Sequence, residues 1–139
     1  MVQSGGMSKD LVPYVALLAA VFLIYFPRVF VWRGASRQPE GFDNTHPRLQ
    51  QAKLTGLAAR AHAAHENGFE AFGPFAAGVL ACKVAGVDAD QVALLSMGFI
   101  ALRVVYLVLY LRNLSTLRSI TWAFAFLISL TLLALPVFA

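Results

Sequence analysis

The stretch QVALLSMGFIALRVVYLVLYL, residues 91–111, carries one charged side chain, Arg103, in twenty-one residues. A helix of that length crosses the roughly 30 Å hydrocarbon core of a bilayer, and its composition suits lipid. Asn113, Ser115 and Thr116 then form a short polar turn, with Ser115 or Thr116 expected as the N-cap of a second apolar run over about 117–138. Upstream, Gly86 and Asp88 mark a tight connection. Before it lies a longer segment, about 54–84, apolar in its second half. Its first half is alanine-rich but polar, with Arg60, His62, His65, Glu66, Asn67 and Glu70.

The first apolar block covers about 11–32 and ends in an aromatic, basic stretch with Tyr25, Arg28 and Trp32. It is too long for the apolar core of a signal peptide, and Tyr25 and Trp32 suit an interfacial belt. Residues 33–53 read as a loop, punctuated by Gly34, Pro39, Gly41 and Pro47. The expected fold is therefore all-α and membrane-integral, a bundle of four transmembrane helices over about 11–32, 54–84, 91–111 and 117–138. Residues 9–139 form one domain behind a disordered tail over 1–8, with Met1 or Met7 as the start.

Composition agrees. Of 139 residues 59% are hydrophobic and 13% charged, where a soluble domain carries about 25% charged. Mean hydropathy is +0.69. The net charge of +4 lies in clusters between apolar blocks, so it reads as a topology signal and not as a nucleic-acid surface. Arg33, Arg37, Arg48 and Lys53 stand against Glu40 and Asp43 in the first loop, and Arg112 and Arg118 flank the last turn. Lys9, Asp10, Lys83, Asp88 and Asp90 nearly cancel at the other ends. The basic side is expected to be cytoplasmic, with both termini on the non-cytoplasmic side. A bacterial inner membrane is expected, since no organelle-targeting segment is evident. The single cysteine, Cys82, excludes an internal disulfide and reads as a packing residue. The histidines and Cys82 lack metal-ligand spacing, and no metal site is expected.

Three ionisable residues fall at membrane depth: Arg60, Glu70 and Arg103. Each costs at least about 2.5 kcal/mol there unless it faces the bundle interior with a partner. Helical positions seven apart differ by about 20°, so Arg60, Asn67 and Glu70 share a face, as do Arg103, Tyr106 and Tyr110. The two faces are expected to meet at Glu70 and Arg103, within a chain or across a subunit interface. Arg118 opens the last helix on the same side, adding to its positive dipole end. The result is a cationic pocket for a small, anionic, hydrogen-bonding ligand. The plainer reading is that these side chains only join helices, at about 0.6 kcal/mol each.

The run Arg60-Ala-His-Ala-Ala-His-Glu-Asn67-Gly-Phe-Glu70-Ala-Phe-Gly-Pro-Phe75 resembles the second-helix signature of the MAPEG superfamily, the membrane-associated proteins of eicosanoid and glutathione metabolism. Leu102-Arg103-Val-Val-Tyr106-Leu-Val-Leu-Tyr110 resembles its third-helix motif, and Arg118-Ser119-Ile-Thr-Trp122 its fourth-helix entry. The resemblance implies a homotrimer of four-helix protomers holding glutathione as co-substrate between subunits. It implies glutathione contacts at Arg60, Asn67, Glu70, Arg103, Tyr106 and Tyr110, and a thiolate-stabilising arginine at Arg118 with Ser119 beside it. His65 is expected to help orient the ligand. The implied activity is a glutathione-dependent transferase or peroxidase acting on lipophilic electrophiles from the bilayer. The sequence departs from the family pattern at Ala63, where well-studied members carry an arginine, at Ala71, and at the shifted Gly73-Pro74. Arg28 or Arg33 are candidates to replace the arginine missing at Ala63. Two other functions fit a four-helix membrane chain. One is a non-catalytic protein binding an anionic or lipidic ligand, and the other a small exporter built around a mid-membrane carboxylate.

Overall fold

The computed structural model describes residues 9–139; the expected tail over 1–8 lies outside them. The first span, Val12–Ser36, is two helices, α1 (Val12–Tyr25) and α2 (Arg28–Ser36), meeting at Phe26 and Pro27. Pro27 has no N–H to return to the preceding turn, which interrupts the ladder without ending the span. This span runs four residues past the expected Trp32, because Val31 and Ala35 of α2 pack against Leu54, Ala58 and Ala61.

A six-residue helix, α3 (Pro47–Ala52), stands inside the expected loop. Its buried glutamines fix it. Gln50 donates to Gln38 and to the Gly41 carbonyl and accepts from the Asp43 N–H, while Gln51 accepts from Arg28. The N–H groups of His46 and Thr45 donate to Asp43 and hold its carboxyl below the ordinary carboxylate range. That turn is tied at neutral pH and loosens as pH falls through the lowered value.

Helix α4 (Gly56–Ala85) is 30 residues long, about 45 Å, so it overreaches the hydrocarbon core. Gly86, at φ 74°, closes it, with the Val87 N–H returning to the Cys82 carbonyl. Asp88 caps α5 (Ala89–Leu111) by accepting from the Gln91 N–H. The fourth span is α6 (Ser115–Ala134), prolonged by a short 3-10 turn over Leu135–Val137. Leu114 is its N-cap, in place of the expected Ser115 or Thr116, and no side chain caps that end.

The four spans bury only 22–39% of their apolar windows, and Leu18, Phe22, Phe124 and Leu127 point outward. Such a surface belongs in lipid. This is a multi-pass membrane protein. Its core is centred on the parallel rings of Phe75 and Phe99, 3.8 Å apart, packed with Val79, Val92 and Leu132.

Glycine sets three helix crossings. Gly68 faces Ile24 of α1, and a Cβ on Gly78 would sit 2.7 Å from the Leu132 Cβ and 3.1 Å from the Leu133 nitrogen. Gly34 likewise rests on Ala58, whereas Gly73 meets open space. Backbone cannot retreat as a flexible side chain can. Gly78→Val is therefore expected to push α6 away and cost about 1–3 kcal/mol. Thermal unfolding in detergent should show it, and an unchanged melting temperature would contradict the crossing.

Candidate functional site

The start of α4, the end of α5 and the start of α6 meet at one end of the bundle. Arg60 ties α4 to α5 by donating from Nε to the Leu111 carbonyl at 3.2 Å, where α5 leaves carbonyls without helical partners. From there a polar array runs inward. Asn67 and Glu70 lie three apart on α4, and the Asn67 amide donates to Glu70 at 3.1 Å. The Asn67 carbonyl accepts from Arg103 Nη1 at 3.0 Å. The Arg103 guanidinium lies 4.2 Å over the Tyr106 ring, and Tyr106 meets Tyr110 edge to face at 5.5 Å. Arg118 of α6 covers Tyr110, also at 4.2 Å. Three helices thus contribute to one sequence of contacts from Glu70 to Arg118.

Within the protomer the two faces meet through Asn67, which stands between Glu70 and Arg103. Its amide orientation is thereby fixed, since the carbonyl must face the arginine and the N–H₂ the carboxylate. Arg103 is 7% exposed, and its cation is stabilised by the amide dipole and the tyrosine ring face. Arg118 has no carboxylate within ion-pair distance among the described residues. It borders a hollow of about 420 Å³, lined by Asn67, Tyr106, Tyr110, Arg118, Ser119 and Trp122. That volume falls in the range of small-molecule sites, about 300–1,000 Å³. A second, narrower hollow of about 160 Å³ adjoins at Trp122, with Glu70, Arg103, Phe99, Phe126 and Ser129 on its walls.

The third-helix and fourth-helix motifs and Asn67 therefore converge on the larger hollow, and Glu70 and Arg103 on the smaller. Ser119 lines the larger one, its hydroxyl donating to the Ser115 carbonyl of its own helix. Arg60 is used at the helix end instead. His65 turns to the first span, with Nδ1 2.7 Å from the Ile24 carbonyl, one turn before Pro27. A carbonyl only accepts, so Nδ1 carries the proton there. Arg28 donates from Nη1 to Gln51 at 3.0 Å.

The aromatic wall was not expected from the sequence. Trp122 and Phe126 stack with ring planes 6° apart, and the spacing of four from Arg118 to Trp122 to Phe126 was the signal for it. The fourth-helix arginine, the third-helix tyrosines and the second-helix asparagine thus border one cavity. A family model described as the MAPEG family matches residues 11–138, nearly the whole chain. The chain belongs to the MAPEG family. No curated protein and no solved structure matches it.

This MAPEG site holds two guanidinium groups, one carboxylate, two phenols and an amide. Such groups can hold an anion that also makes hydrogen bonds, beside the aromatic wall of Trp122 and Phe126. Among the described residues, no group of His, Cys, Asp and Glu side chains is arranged to hold a metal. The one thiol, Cys82, is buried away from the site with its S–H on the Leu132 carbonyl. A sulfur nucleophile at this site would have to arrive with the ligand.

Proposed function

We propose that this MAPEG protein is a glutathione-dependent transferase, or a peroxidase working through the same thiolate, acting on lipophilic electrophiles. The observation that carries the reading is the unneutralised Arg118 at the edge of a hollow furnished by Asn67, Tyr106 and Tyr110. Glutathione supplies the carboxylates, amides and thiol that such a lining would bind. Arg118 favours the thiolate over the thiol, by the rule that lowers a cysteine pKa beside a cation. The thiolate sulfur then forms a bond to an electrophilic carbon as the bond to the leaving group breaks. Trp122 and Phe126 offer the apolar partner a route from lipid, and holding both reactants together lowers the barrier further.

The protein works as a homotrimer in this reading. Ala59, Ala63, Glu66, Glu70, Gly73, Ala77, Leu80 and Val84 alternate at spacings of four and three along α4. None of them is buried within the protomer. A stripe with that 3.5-residue period packs against a copy of itself in a left-handed supercoil. Self-association would also remove Glu70 from lipid. The basic end faces the cytoplasm of a bacterial inner membrane, with both termini on the other side. Ala63 favours a second reading, a non-catalytic protein on the same scaffold holding another anionic ligand.

Calorimetry with the detergent-purified protein separates them. Wild type is expected to bind glutathione, and Asn67→Ala to bind it about tenfold more weakly, the worth of one or two hydrogen bonds. No heat of binding at millimolar glutathione would sink the glutathione reading and leave the second.

A further inference from the structure

The basic end of the bundle carries more cations than the site uses. Arg33 and Arg37 close α2, Arg48 and Lys53 stand on α3 and its C-terminal edge, and Arg112 follows α5. Among the described residues, none has a carboxylate within 4.0 Å. The loop's two acids, Glu40 and Asp43, offset only two of these five charges and leave the collar three charges positive. Exposed apolar side chains are interleaved with these cations: Trp32 at 59%, Leu49 at 63%, Phe42, Leu57 and Leu114. The arrangement is held, not loose. Gln50 makes three hydrogen bonds to the α2–α3 loop and Gln51 binds Arg28, which turns Arg48 and Leu49 outward together.

We propose that this collar binds the phosphate headgroups of anionic phospholipids in the surrounding bilayer. Alternating cations and large apolar groups at a span's end match the headgroup boundary, where the charges meet phosphate and the apolar groups enter the acyl region. A soluble polyanion would leave Trp32 and Leu49 in water. The inference stands apart from the glutathione reading, since none of the five cations lines either hollow.

The test is lipid selectivity of the full-length protein in phosphatidylcholine vesicles carrying spin-labelled phosphatidylglycerol or spin-labelled phosphatidylcholine. The wild type should immobilise the anionic lipid preferentially, and 1 M salt, with a screening length of about 3 Å, should erase the preference. Each near-surface cation strengthens such attraction about fivefold. Combined Arg37→Gln, Arg48→Gln and Lys53→Gln should therefore bring the preference to parity, while Lys9→Gln at the opposite end leaves it intact. Should the triple variant fail to reconstitute, the single variants decide the matter, each lowering the preference severalfold. Equal immobilisation of both lipids by wild type would overturn the proposal, as would a triple variant that keeps its selectivity. Displacement of the lipid by millimolar glycerol phosphate would overturn it too, assigning the collar to a soluble phosphoester.

Discussion

Arg118→Ala is expected to lower kcat/KM for glutathione conjugation by about 10²–10³-fold, the scale seen when one preorganised charge-stabilising group is removed. Three observations set that size. The guanidinium borders the hollow, it is only partly exposed, and no carboxylate among the described residues neutralises it. A cation facing low-dielectric surroundings acts strongly on a nearby anion. In the proposed reaction it is expected to depress the glutathione thiol pKa below the ordinary thiol value of about 8.5. The sign fixes the pH profile. In wild type the thiolate is expected to be formed at neutral pH, so the rate should be nearly flat from pH 7 upward. In Arg118→Ala the rate should climb about tenfold per pH unit until the unassisted thiol ionises. Arg118→Lys keeps the charge but loses the planar contact with Tyr110, and should fall between the two. An Arg118→Ala enzyme with wild-type rate and a flat profile would remove this residue from the sulfur.

The spans were legible because lipid imposes a length and a composition on them. Their ends and bends were not. Pro27 interrupts the first span without terminating it, and α2 continues because Val31 and Ala35 find partners on α4, a long-range contact no local pattern reveals. Helix α3 is held by glutamine side chains reaching the loop, so turn residues alone could not announce it. Within the site, the seven-residue rule placed Arg60 and Asn67 on one face correctly, but seven residues are also about 10 Å of rise. Arg60 therefore reaches the end of α5 instead of the hollow. His65 is two positions from Asn67, about 200° around the helix, and so faces α1. The Asn67 bridge between Glu70 and Arg103 was hidden because spacing aligns faces and does not say which pairs touch.

That bridge makes Arg103 the other position of large effect, for a different reason. Arg103→Leu is expected to reduce glutathione affinity by about 10–100-fold while leaving the bundle assembled. Arg103 lines the smaller hollow but not the larger one, so it acts there by orienting Asn67 and supporting Tyr106. Without it the Asn67 carbonyl loses its donor, at about 1–3 kcal/mol, and the amide is free to rotate away from the hollow. The bundle survives because Glu70 is exposed within the protomer, so losing Arg103 strands no buried carboxylate, and leucine keeps the apolar contact. Arg103→Lys distinguishes positioning from charge alone. It keeps the cation but loses the planar group that both donates to Asn67 and lies flat on Tyr106, so its affinity should stay near that of the leucine variant. Calorimetry gives the affinities, and thermal unfolding in detergent gives the stability. Full recovery of binding in Arg103→Lys would mean that the positive charge, and not the held amide, is what the ligand needs.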